Sequence, residues 1–122
     1  MRHRSPCIDI ADFVRYSGDL ALLSQVCEAF LEQLPPWRLA FDEASGAGDR
    51  FALGKLLHKM KGSCYAVSAH GVARTLEEAE QTLTTDFLDG WASKAAGLDA
   101  FMSRMELEMG PLTRRLENSA VS

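Results

Sequence analysis

The sequence predicts an all-α protein, an antiparallel four-helix bundle with a short additional helix at its N-terminus. Apolar residues recur at three- and four-residue steps through most of the 122 residues, the spacing that gathers them on one face of a helix. No segment sustains period-two alternation, and hairpin-type turns are absent. Asp9, Asp19 and Asp49 stand just ahead of periodic stretches, where a side-chain carboxylate caps free backbone N–H groups.

Residues 1–7 are polar, contain Pro6 and read as a flexible arm, which leaves residues 8–118 as the domain. Asp9 caps a short helix to about Tyr16, ended by Ser17-Gly18. Asp19 opens a long helix with the stripe Leu20, Leu23, Val26, Cys27, Phe30, Leu31 and Leu34. Pro35-Pro36 interrupts it, because proline lacks a backbone donor and clashes with the preceding turn. Trp37, Ala40, Phe41 and Ala44 resume the pattern, so a kinked helix or two nearly coaxial ones are expected, ending at Ser45-Gly46-Ala47-Gly48.

Asp49 caps the next helix, which runs to about Val67. Ser68 to Gly71 is expected to connect it to a helix marked by Val72, Leu76, Ala79 and Leu83, with Glu77, Glu78 and Glu80 on its polar side. Thr84-Thr85-Asp86 reads as a break. A last long helix carries Leu88, Trp91, Ala95, Leu98, Met102, Met105, Leu107 and Met109. Gly110-Pro111 should bend or end it, with Leu112 and Leu116 available to extend it. Four main amphipathic helices pack as a bundle, and the short first helix lies across one end.

The composition sets outer limits on function. At 47% apolar and 25% charged, the chain has the make-up of one globular domain. The first twenty residues hold no apolar signal region and no run approaches a membrane span, so a soluble, cytoplasmic protein with no membrane partner is expected. Met1 and the polar residues at both ends lead to the expectation of a free-standing protein rather than a piece of a longer one. A net charge of −4 argues against nucleic-acid binding, which needs a basic surface. Cys7, Cys27 and Cys64 lack metal or disulfide spacing; Cys27 and Cys64 fall on apolar faces as small hydrophobes.

His58 is the residue with chemistry to offer. With about 100° between successive side chains, Leu56, Met60 and Val67 lie almost opposite His58, and Leu53 and Cys64 lie within about 60° of them. The histidine's own face holds Phe51, Gly54, Lys55, Lys61, Gly62 and Tyr65. Glycine costs a helix interior about 1 kcal/mol relative to alanine. Gly54 and Gly62, one turn to either side of His58, are best understood as leaving room for a group that approaches the ring closely.

Neutral imidazole is a good nucleophile near neutral pH and forms covalent intermediates. Lys55, Lys59 and Lys61 bring positive charge suited to an anionic phosphoryl group, with Lys59 the least direct. The sequence has no P-loop, no Gly-rich nucleotide loop and no metal-ligand cluster. Such a site receives and holds a phosphoryl group without binding a nucleotide, a metal or a cofactor of its own.

The run Leu57-His58-Lys59-Met60-Lys61-Gly62-Ser63 resembles the signature of histidine-containing phosphotransfer (HPt) domains of two-component phosphorelays. Gly18-Asp19, the stretch Phe30 to Pro35, Ala47-Gly48-Asp49, Ser68-Ala69 and Leu76 to Glu80 resemble the family's other landmarks, so the likeness covers about residues 8–105. The resemblance implies a monomeric bundle with His58 as phosphoacceptor and Lys61 and Gly62 at the family's lysine and glycine positions. It implies partners as well: receiver domains of response regulators or of a hybrid sensor kinase, which would supply the Mg²⁺ and most of the catalytic machinery.

Phe51 and Tyr65 are candidate receiver contacts, and Tyr65 stands where many relatives carry small residues. A glutamine on the following helix orients the histidine in some relatives; Glu80 and Gln81 are the positions open to that role here. The expected function is a phosphorelay intermediate rather than an enzyme. The alternative is an HPt-like interaction module that binds a receiver or sensor kinase without being phosphorylated.

Overall fold

A computed structural model describes residues 7–85 and 87–121, with side chains as far as Leu116; residues 1–6 of the arm expected over 1–7 and Asp86 of the expected break lie outside them. The described residues form α1 (Ile10–Ser17), α2 (Leu20–Ala47), α3 (Arg50–Ala66), α4 (His70–Thr85) and α5 (Phe87–Val121), with no strand among them. No helix among them is long and apolar enough to cross a membrane.

The three aspartate caps form as expected. Asp9 accepts from the Asp12 N–H at 2.9 Å, Asp19 from Ala21 at 2.9 Å and Asp49 from Ala52 at 3.1 Å. Gly18 and Gly48 end α1 and α2 at φ 71° and 65°, the left-handed region that glycine enters without a Cβ penalty. After α3 the same turn is made without glycine. Ser68, at φ 56°, donates to the Tyr65 carbonyl at 3.1 Å, and Ala69 donates to Cys64 at 2.8 Å. This Schellman closure reverses the chain so tightly that α4 starts at His70, inside the connection expected over Ser68 to Gly71.

Both long helices run through their prolines. α2 continues past Pro35-Pro36 as one helix because Leu34, Trp37 and Phe41 stay buried on one face and Phe30 meets Trp37 edge-on, with ring centroids 5.2 Å apart. α5 does not end at Gly110-Pro111. Leu98, Met102, Met105, Met109 and Leu112 keep alternating four- and three-residue steps into the core, so packing outweighs the missing proline donor, and Pro111 itself is exposed.

α2 packs on α3, α3 on α4, α4 on α5 and α5 on α2, while α1 touches α2. Contacts between α3 and α4 run in opposite order along the two helices: Gly54 lies towards Leu83, and Lys61 pairs with Glu80. The α2–α5 contacts do likewise, with Phe41 on Trp91 at 5.8 Å and Arg38 bonded to Asp99 and Ser103 at 3.3 and 3.1 Å. The buried side chains form one cluster that includes Cys27 and Cys64. Burial pushes their thiols up to about 11 and about 12, which keeps them protonated and inert. Cys7, assigned to the flexible arm, is held at its N–H by Glu108 at 2.8 Å, and Ile8 by the other oxygen at 2.9 Å.

Candidate functional site

α3 presents His58 by burying the opposite part of its surface. Its buried residues are Leu53, Leu57, Met60 and Cys64, whose centre lies about 50° round the helix from the expected Leu56–Met60–Val67 line. Leu57 is fully buried, Leu56 only half so, and Val67 follows the helix as its C-cap. α3 packs between α2 and α4, so two neighbours set its buried stripe. His58 remains exposed, and no hydrogen bond or ion pair from the described residues engages its ring.

The imidazole borders an open cleft of about 850 Å³ between α3 and α4, lined also by Arg50, Phe51, Gly54, Lys55, Glu80, Leu83 and Thr84. Phe51 is 76% exposed, and the Lys55 ammonium lies 5.2 Å from its ring centroid. Lys59 is exposed and lies outside the cleft lining.

Lys61 turns towards α4, where its Nζ lies 3.0 Å from Glu80 Oε1. That close contact with the Glu80 carboxylate raises the Lys61 pKa above its ordinary value. Of the two orienting candidates, Glu80 faces the cleft; Gln81 is exposed, and its backbone carbonyl accepts from the Thr84 and Thr85 hydroxyls.

Neither glycine is demanded by packing within the chain. A Cβ on Gly62 would enter open space, and one on Gly54 would meet only Leu83 Cδ1 at 3.8 Å, an ordinary contact. Tyr65 is half-exposed and belongs to a second groove with Asp12, Phe13, Tyr16 and His70. Its ring sits 5.8 Å from that of His70, and His70 Nε2 lies 2.7 Å from Asp12. The hydrogen bond from His70 is the main cause that holds the Asp12 carboxyl below its ordinary range. Phe51 and Tyr65 therefore share a helix face but not a cleft.

Arg50, Leu83 and Thr84 were not among the residues expected at the site. Arg50 stands two turns before His58, about 80° from it towards α4, so the helical wheel could have found it. Its guanidinium carbon lies 4.9 Å from the Phe87 ring centroid. Leu83 and Thr84 join the cleft through the register of α4 on α3, which no local signal encodes. No group of three or more His, Cys, Asp or Glu among the described residues is placed to hold a metal ion. Comparisons with protein-family models, curated proteins and solved structures found no match to this chain.

Proposed function

We propose that the chain is an HPt domain, a phosphorelay carrier whose α2–α5 form an antiparallel four-helix bundle and whose His58 accepts a phosphoryl group from a receiver aspartate and passes it to another receiver. The observation that carries this reading is the unengaged imidazole of His58, exposed beside fully buried Leu57 and bordering a cleft with Arg50 and Lys55. The closed ring of helix contacts and their opposite order support the bundle. In the transfer, the imidazole lone pair forms the N–P bond as the aspartyl O–P bond breaks, and the receiver keeps the carboxylate. Arg50 and Lys55 favour the incoming negative charge. The receiver brings the Mg²⁺, and the chain acts as a carrier rather than an enzyme.

Incubation with a ³²P-labelled phosphoreceiver tests this. Wild type is expected to gain an acid-labile, alkali-stable label and His58→Gln none; equal labelling of both, or binding of several receivers without labelling of either, refutes transfer through His58. Gly62→Ala is expected to act in opposite directions on fold and transfer. The added methyl meets open space, so stability should rise by about 0.5–1 kcal/mol. The same methyl stands one turn from His58, where an incoming receiver needs room, so labelling should slow. Thermal melting and a transfer time course check the two halves.

A further inference from the structure

Glu80 is the acidic residue of the His58 cleft, and its chemistry runs against a bound phosphoryl group. Its side chain is 26% exposed, and Oε1 is shut off from solvent, with Lys61 Nζ at 3.0 Å as its close polar neighbour. Lys61 stands three residues from His58, so the nearest lysine on the α4 side of the imidazole is already engaged by an anion. A phosphoryl group on His58 would enter a cleft that carries the Glu80 carboxylate, while Lys61, outside the cleft lining, has its charge paired with that carboxylate. Both effects disfavour the phosphorylated state, and partial burial limits the screening that would otherwise hide them.

We propose that the Lys61–Glu80 pair sets the phosphoryl-transfer potential of His58, with Glu80 destabilising the phosphohistidine so that the site gives its phosphoryl group away readily. This rests on the phosphorelay reading and adds a bias in the direction of flow: the chain is poised as a donor rather than a store. Glu80 acts through charge and through Lys61, so it is a positioning residue. Leu83 and Thr84 offer no charge that would offset it, while Arg50 and Lys55 border the cleft from the α3 side.

Phosphoramidate tests this without any protein partner. It passes its phosphoryl group to an accessible imidazole as one P–N bond breaks to release ammonia and another forms on the ring. At fixed phosphoramidate and ammonium concentrations, ³¹P NMR gives the phosphorylated fraction at equilibrium for wild type and variants. Glu80→Gln is expected to shift that equilibrium towards phosphohistidine by about three- to tenfold, and the shift should shrink as salt is added. Lys61→Met, which leaves Glu80 without its cation, should shift it the other way.

Damage to packing alone would not make the phosphoprotein more favourable, and melting curves report whether each variant folds. An unchanged or lowered fraction in Glu80→Gln, or a raised one in Lys61→Met, overturns the proposal. Failure of receiver transfer in the face of these shifts would instead refute the relay while leaving the electrostatic role of Glu80 standing.

Discussion

Leu57→Ala is expected to destabilise the protein by about 3 kcal/mol, within the range seen when a fully buried leucine is cut back to alanine. Leu57 has no exposed surface and belongs to the four-residue stripe by which α3 meets its neighbours. Its loss leaves a cavity that α2 and α4, packed on α3 from two sides, cannot both close. The urea midpoint should fall with an unchanged slope, the sign of lost stability without a changed unfolded state. His58→Gln, one residue along, should stay within about 0.5 kcal/mol of wild type because the ring is exposed and no hydrogen bond or ion pair from the described residues engages it. Below its melting temperature, Leu57→Ala should still take label while His58→Gln does not. A large stability loss in His58→Gln would mean that the imidazole is structural after all.

That contrast also marks how far the sequence could be read. The exposed position of His58 was legible because a helical wheel needs only the order of residues on one helix. The aspartate caps and the glycine ends of α1 and α2 were legible for a similar reason: their hydrogen bonds close within a few residues. At Gly110-Pro111 the sequence left a bend, an end or an extension open, because proline's local cost is visible in sequence while the burial of Met109 and Leu112, which carries the helix on, depends on helices far along the chain. The early start of α4 was hidden by Ser68, since a left-handed residue is normally expected to be glycine.

The site divides in the same way. Lys55, Lys61, Gly54 and Gly62 could be placed around His58 from one helix alone. What Lys61 does there could not, because Glu80 reaches it from α4. Gln81 and Glu80 were equivalent in sequence, and only the packing of α4 turned one into the cleft and the other to solvent.

Phe51→Ala is expected to weaken binding of a receiver domain by about tenfold or more, the size of loss typical when an aromatic anchor at an interface is truncated. Phe51 is 76% exposed at the mouth of the His58 cleft, and with Lys55 it forms a joined apolar and cationic patch. Burying that ring under a partner removes apolar surface from water, and the variant's own fold should be unaffected because the ring supports little of the core. Tyr65→Ala should behave differently. Its ring packs on His70 in the groove beside α1, so truncation should disturb that end of the molecule more and receiver binding less. Calorimetric titration of one receiver into both variants orders the two effects. A greater loss from Tyr65→Ala would place the partner at the α1 end, and the cleft of Arg50 and Phe51 would then lie at the margin of the docking surface instead of its centre.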